Sequence, residues 1–252
     1  MKEYETTETI PSADKHIDTL GNMEALKVML DNHYYAFNAV KNSLSSIEKS
    51  ISNIVRLLRD NPKSKIIYVG AGTSARIAVQ DGVELFPTFG WPRDRMEFII
   101  AGGTKALVQS IEGAEDLENL DLNSFITCKI KPEDIVIGLT ASGNTKFTNE
   151  VLKKAQNIGA YTIGISNNKK TLLETSVDFH ITLDTGMEIV AGSTRLKAGT
   201  AQKICLNLIS TLTMARLGRV KFGMMNNLIA TNKKLKLRKK IIDNIIRDIG
   251  IS

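Results

Sequence analysis

Two short stretches combine small residues with hydroxyls in the way an anion-binding turn requires. Gly70-Ala71-Gly72-Thr73-Ser74 and Thr140-Ala141-Ser142-Gly143-Asn144-Thr145 each follow an apolar run and precede a segment of helical spacing. Glycine lets a backbone approach a ligand closely, and the unpaired amides of a starting helix favour negative charge. Gly72, Thr73 and Ser74, together with Ser142, Gly143, Asn144 and Thr145, are therefore candidate ligand contacts. One glycine-rich turn is a weak sign, because tight turns need glycine for backbone reasons alone. Two hydroxyl-bearing copies carry more. The first is neither the spaced-glycine dinucleotide fingerprint nor a P-loop, since no Gly-Lys-Ser/Thr follows its glycines, and this argues against nicotinamide cofactors and ATP.

A third stretch, Ala191 to Thr200, puts Ser193 and Thr194 at an expected N-cap with Arg195 and Lys197 in the first helical turn. Capping accounts for the hydroxyls. Two cations at a helix start oppose its macrodipole, so an anion is expected nearby, and Ser193, Thr194 and Lys197 join the candidates. Carboxylates supply acid and base candidates. Glu84 stands in Val83-Glu84-Leu85-Phe86-Pro87, where burial would raise its pKa and suit it to donate a proton. Glu115, after the turn at Gly102-Gly103, and Glu188, ahead of the third stretch, are further candidates; a surface or structural role is open for each. His16, His33 and His180 form no ligand cluster, and His180, inside an expected strand, reads as a satisfied core histidine. Cys128 and Cys205 lie far apart and read as buried thiols, with neither a disulfide framework nor a zinc site. The expectation is no metal and no cofactor.

The elements that must hold these residues follow from five short apolar runs: KIIYVG at 65–70, MEFIIAG at 96–102, DIVIGLT at 134–140, YTIGIS at 161–166 and FHITL at 179–183. Runs of this kind, separated by helix-length segments, are buried on both faces. The fold class is α/β, a doubly wound, mostly parallel five-stranded sheet with flanking N- and C-terminal helices. Asn22 to Asp60 reads as two packing helices, with Leu26, Met29 and Leu30 among their apolar positions. Residues 195–217 read as a long helix ending at Gly218, helix resumes from about Phe222, and no strand follows Leu183. Segments 1–60, 61–218 and 219–252 are expected to be an N-terminal helical part, one ligand-binding domain and a C-terminal helical part.

Composition sets outer bounds. The 252 residues are 42% hydrophobic and 24% charged. No apolar run approaches the roughly 18 residues of a membrane span. The first ten residues lack the apolar core of a secretory signal, so the cytoplasm is expected. The net charge of +6 gathers at Lys233, Lys234, Lys236, Arg238, Lys239 and Lys240, which read as a solvated helix face; no nucleic-acid recognition motif accompanies them.

Read together, GAGTSAR at 70–76, ELFPTFG at 84–90, AGG at 101–103, EGAED at 112–116, ASGNT at 141–145, GSTRLKAGTAQK at 192–203 and ATNKKL at 230–235 closely resemble the N-acetylmuramic acid 6-phosphate etherase family. The resemblance implies a sugar isomerase (SIS) domain related to the glucokinase regulatory protein. It also implies a phosphosugar substrate, a lyase reaction that releases D-lactate, and a homodimer. By their places in the motifs, Glu84 resembles the family's proton donor and Glu115 its second catalytic residue. The loops then resemble SIS phosphate and sugar contacts. The family pattern usually has Gly at Ala75, Arg at Asn144 and Pro at Lys146, and continues into a further small helical region beyond Ser252. A non-catalytic sugar-phosphate regulator and an SIS-type isomerase are the alternative readings.

Overall fold

The structure, a computed structural model, describes residues 6–111, 113–114, 130–230 and 233–248. Its centre is a five-stranded parallel sheet in the order β2-β1-β3-β4-β5, with β1 at Ile66–Gly70, β2 at Met96–Ile100, β3 at Ile135–Thr140, β4 at Tyr161–Ser166 and β5 at Phe179–Thr182. All five runs read from the sequence are strands. Successive side chains of a strand face opposite ways, and both sides here are covered. Ile66, Tyr68, Ile137 and Ile165 enter one core with helices α1 (Asn22–Asn42), α2 (Leu44–Asp60), α3 (Gly72–Val83) and α7 (Lys197–Arg216). Ile67, Val69 and Val136 enter the other, against Phe147, Val151 and Leu152 of α5 (Lys146–Ile158). Two short helices, α4 (Leu85–Phe89) and α6 (Leu172–Thr175), complete the cover.

The strand order has a functional consequence. From β1 the chain runs to one neighbour, β2, and then crosses to the other, β3. The loops leaving β1 and β3 therefore part in opposite directions, opening a crevice at the carboxyl ends of the strands.

Four local expectations need correction. First, Val220–Lys221 (β6) and Met224–Met225 (β7) pair as an antiparallel hairpin, so strand does follow Leu183. Its two-residue turn has positive φ at both Phe222 (50°) and Gly223 (73°), the hairpin-type turn, so helix cannot start there. Second, the C-terminal helix α8 spans Lys233–Asp248. Its Lys236, Lys239 and Lys240 are exposed. Third, α7 begins at Lys197, so Ser193, Thr194 and Arg195 precede the helix, and its N-cap position is Leu196. Fourth, only Ala36, Ala39 and Val40 of α1 are buried, while Leu26 and Leu30 stay exposed. No helix among the described residues is long and apolar enough to cross a membrane.

Candidate functional site

The β1 loop is shaped by close packing. A Cβ on Gly70 would lie 3.1 Å from the amide nitrogen of Ala75 and 3.2 Å from the Leu139 carbonyl, so any side chain there would require the backbone of α3 or β3 to give by a few tenths of an ångström. Gly72 takes φ 52° and turns the chain into α3. The first amides of a helix have no carbonyl one turn back, and Ala71 at the N-cap supplies no side-chain acceptor. They face the crevice, where negative charge is favoured.

The β3 loop is organised by one buried hydroxyl. Thr140 Oγ1 lies 2.8 Å from Thr145 Oγ1 and 3.3 Å from Ser142 Oγ, and accepts the Gly143 amide at 3.2 Å. Ser142 Oγ accepts the Asn144 amide at 3.1 Å. Gly143, at φ 76°, packs so closely on Thr171 that a Cβ would meet it at 2.5 Å. Beneath, Asn149 Nδ2 donates to the carbonyls of Gly143 and Thr145 at 3.2 and 3.0 Å. Helix α5 starts at the next residue, as expected.

Both loops open onto one cavity of about 430 Å³. Of the sequence candidates it brings together Gly72, Thr73, Ser74, Ser142, Thr145 and Thr194. Ser193 precedes Thr194 in the loop without lining the cavity, and Gly143 supports the floor. Asn144 turns away: its Oδ1 accepts the Leu172 amide at 3.0 Å, bracing α6.

Three further candidates lie elsewhere. Glu188 is fully buried and caps α7, Oε1 accepting the Ala198 amide at 2.8 Å and Oε2 the Lys197 amide at 3.3 Å. Lys197, 2% exposed, donates through Nζ to the Met187 carbonyl and sits 5.1 Å from the Tyr35 ring centroid. The anion expected beside a first-turn cation is thus an internal carboxylate. Burial pushes the Glu188 carboxyl up and the Lys197 amine down, so desolvation of this pair outweighs its attraction. Both line a separate cavity of about 190 Å³ with Lys15, Asn32 and Tyr35.

Glu84 is exposed, contrary to the burial expected of it. It joins α3 to α4 at the end of α3 remote from the cavity. Nine helical residues lie between it and Ser74, a rise of roughly 15 Å at about 1.5 Å per residue. Glu115 lies outside the described residues; Ala114, which precedes it in the chain, lines the cavity. Cys205 is a buried thiol, its pKa pushed by burial to about 12, and Cys128 lies outside the described residues. His180 is satisfied, with Nε2 3.0 Å from Ser166 Oγ and Nδ1 3.3 Å from Thr182 Oγ1.

Three residues outside the sequence candidates also contribute. Arg76 lines the cavity while its guanidinium donates to the carbonyls of Ala106 and Gln109, both at 3.1 Å. Its place one turn after Gly72 was the available signal. Asn168, two residues beyond β4, ties the Ala141 carbonyl at 3.0 Å to Thr7. Glu8 lines the cavity from the N-terminal side and had no motif to betray it.

Comparisons with known proteins show the family and the fold. A family model described as glucokinase regulatory protein N-terminal SIS domain matches residues 47–156, and an SIS domain model matches residues 125–212. An N-acetylmuramic acid 6-phosphate etherase of Geobacillus thermodenitrificans is 40% identical over 252 residues, covering 100% of this chain and 84% of the relative. The same-named protein of Clostridium acetobutylicum is 38% identical over 244 residues, covering 97% of this chain and 78% of the relative. Among solved structures, a phosphoheptose isomerase from Francisella tularensis superposes with TM-score 0.53 at 16% identity, covering 80% of this chain and 100% of that one. At such identity the superposition establishes the SIS fold alone.

Proposed function

The chain belongs to the N-acetylmuramic acid 6-phosphate etherase family, and from that premise we propose that it cleaves the lactyl ether of N-acetylmuramic acid 6-phosphate. It is a carbon–oxygen lyase of cell-wall sugar recycling, yielding N-acetylglucosamine 6-phosphate and D-lactate. The observation that carries the reading is the cavity at the topological switch point, where two helix starts and the hydroxyls of Thr73, Ser74, Ser142 and Thr145 converge. That arrangement suits a phosphate dianion, with Arg76 adding positive charge.

The sugar reacts in its open-chain form. The C1 aldehyde acidifies the C2 proton, which a base removes. The C3–oxygen bond breaks and an acid protonates the departing lactate oxygen. Water then adds at C3 of the unsaturated aldehyde. Glu84 is the proton donor and Glu115 the second catalytic residue, acting as C2 base or water activator, and this division of labour follows their motifs.

Glu84 lies too far along α3 to serve the cavity of its own chain, so the protein works as a homodimer in which Glu84 completes the neighbouring site. Its exposed neighbour Val83 and the apolar face of Met23, Leu26, Leu30 and Tyr34 on α1 support association. The 61–218 segment forms the binding domain, and the enzyme acts in the cytoplasm. Purified protein incubated with N-acetylmuramate 6-phosphate is expected to release D-lactate. Thermal stabilisation by the sugar phosphate, with no lactate above that from Glu84→Gln, would instead indicate a non-catalytic sensor.

A further inference from the structure

One wall of the cavity comes from the N-terminal turn Thr6–Glu8, and no strand end supplies it. This turn is fastened. Thr7 is fully buried; its amide donates to Asn168 Oδ1 at 3.3 Å and its hydroxyl accepts from Asn168 Nδ2 at 3.1 Å. The Thr6 hydroxyl donates to the same Oδ1 at 2.7 Å. The Thr7 carbonyl accepts the Gly192 amide at 2.9 Å. Asn168 also holds the Ala141 carbonyl, so one side chain joins the turn to the β3 loop.

This anchoring sets Glu8 at the cavity. Gly192, at φ 73°, leaves the space: a Cβ there would meet Glu8 Oε2 at 2.6 Å. Among the described residues that line the cavity, Glu8 is the one carboxylate. No lysine or arginine pairs with it among the described residues. A carboxylate beside an anion cradle repels phosphate unless it faces another part of the ligand. The groups that favour an anion gather at the ends of β1 and β3, whereas Glu8 stands on the Gly192–Thr194 side.

We propose that Glu8 is a specificity residue whose carboxylate accepts hydrogen bonds from the neutral donors of the sugar, its hydroxyls or acetamido N–H. The ligand this polarity fits is anionic at one end and rich in donors at the other. The inference rests on reading the cavity as a phosphosugar site.

Calorimetry on the full-length wild type, Glu8→Ala and Glu8→Gln, with inorganic phosphate and N-acetylglucosamine 6-phosphate as probes, tests it. Glu8 is exposed, so its truncation removes no core packing. Loss of a charge-assisted hydrogen bond weakens sugar phosphate binding about tenfold in Glu8→Ala, and less in Glu8→Gln, which keeps an acceptor. Inorganic phosphate binds the variants as tightly as the wild type or more tightly, because a repulsive charge is gone. In turnover, KM rises while kcat holds within about twofold. Unchanged sugar phosphate affinity, parallel weakening of both probes, or a fall in kcat at constant KM would each overturn the proposal. A wild type that releases no lactate yet shows the opposed binding pattern would leave Glu8 as the specificity residue and remove the etherase reading instead.

Discussion

The carboxylate of Glu188 stands under the first turn of α7, with its Oε1 2.8 Å from the amide nitrogen of Ala198. Its Oε2 takes the Lys197 amide, so one buried side chain satisfies two donors that the helix leaves unpaired. Glu188→Ala strands both donors and is expected to destabilise the fold by about 2–3 kcal/mol. Glu188→Gln keeps one good acceptor and costs about 1 kcal/mol. Urea unfolding of the two variants checks the order and the gap.

The sheet was legible because its strands are buried on both faces and leave uninterrupted apolar runs such as Ile135–Leu139. The cavity loops were legible because the pattern occurs twice: one Gly- and hydroxyl-bearing strand end has ordinary backbone and capping uses, but two that follow strands β1 and β3 open on the same crevice. Lys197 and Glu188 could not be placed beforehand, because the sequence cannot say whether a buried cation is answered by a ligand or by another side chain. Phe222 misled because a bulky apolar residue seldom takes positive φ. The burial expected of Glu84 failed because its apolar neighbours Leu85 and Phe89 point inward while it does not. Glu8 was invisible because what brings it to the cavity is Asn168, 161 residues from Thr7.

Thr140 is the hub of the β3 loop, and Thr140→Val removes its hydroxyl at nearly constant volume. The Gly143 amide loses its acceptor and the Thr145 hydroxyl its partner. Affinity for N-acetylglucosamine 6-phosphate is expected to fall about tenfold, at a stability cost of about 1–2 kcal/mol. Ser142→Ala should show a similar affinity loss at less stability cost. Calorimetry beside urea melts separates the two quantities.

Asp81 is buried toward the end of α3 away from the loops, accepting hydrogen bonds from Tyr68, Asn207 and Ser210. Burial raises its pKa above the ordinary 3.8, outweighing those hydrogen bonds. The native state therefore holds this proton more tightly than the unfolded chain. Its contribution to stability is full below 3.8 and is lost as pH rises through the raised native value. Asp81→Asn cannot titrate, so the difference in urea midpoint between wild type and variant should shift in the variant's favour as pH climbs through that window. A pH-independent difference would assign no such role to Asp81.

In the proposed homodimer Glu84, beyond the far end of α3, serves a cavity lined by Ser142 of the neighbouring chain, and this makes a test by mixing possible. Glu84→Gln retains the cradle and loses the donor; its kcat should fall by about 10²–10⁴. A Ser142→Ala, Thr145→Ala double variant keeps Glu84 and loses the cradle. Each variant's own dimer, if the chain assembles as proposed, is then impaired at both sites. Unfolding and refolding the two together lets half the dimers form as hybrids, and each hybrid pairs the intact cradle of one chain with the intact Glu84 of the other. Lactate release should recover to about a quarter of the wild-type rate, the share a two-fold symmetric dimer permits. If Glu84 served the cavity of its own chain, every site in the hybrid would carry a defect, and mixing would give only the average of the two residual rates.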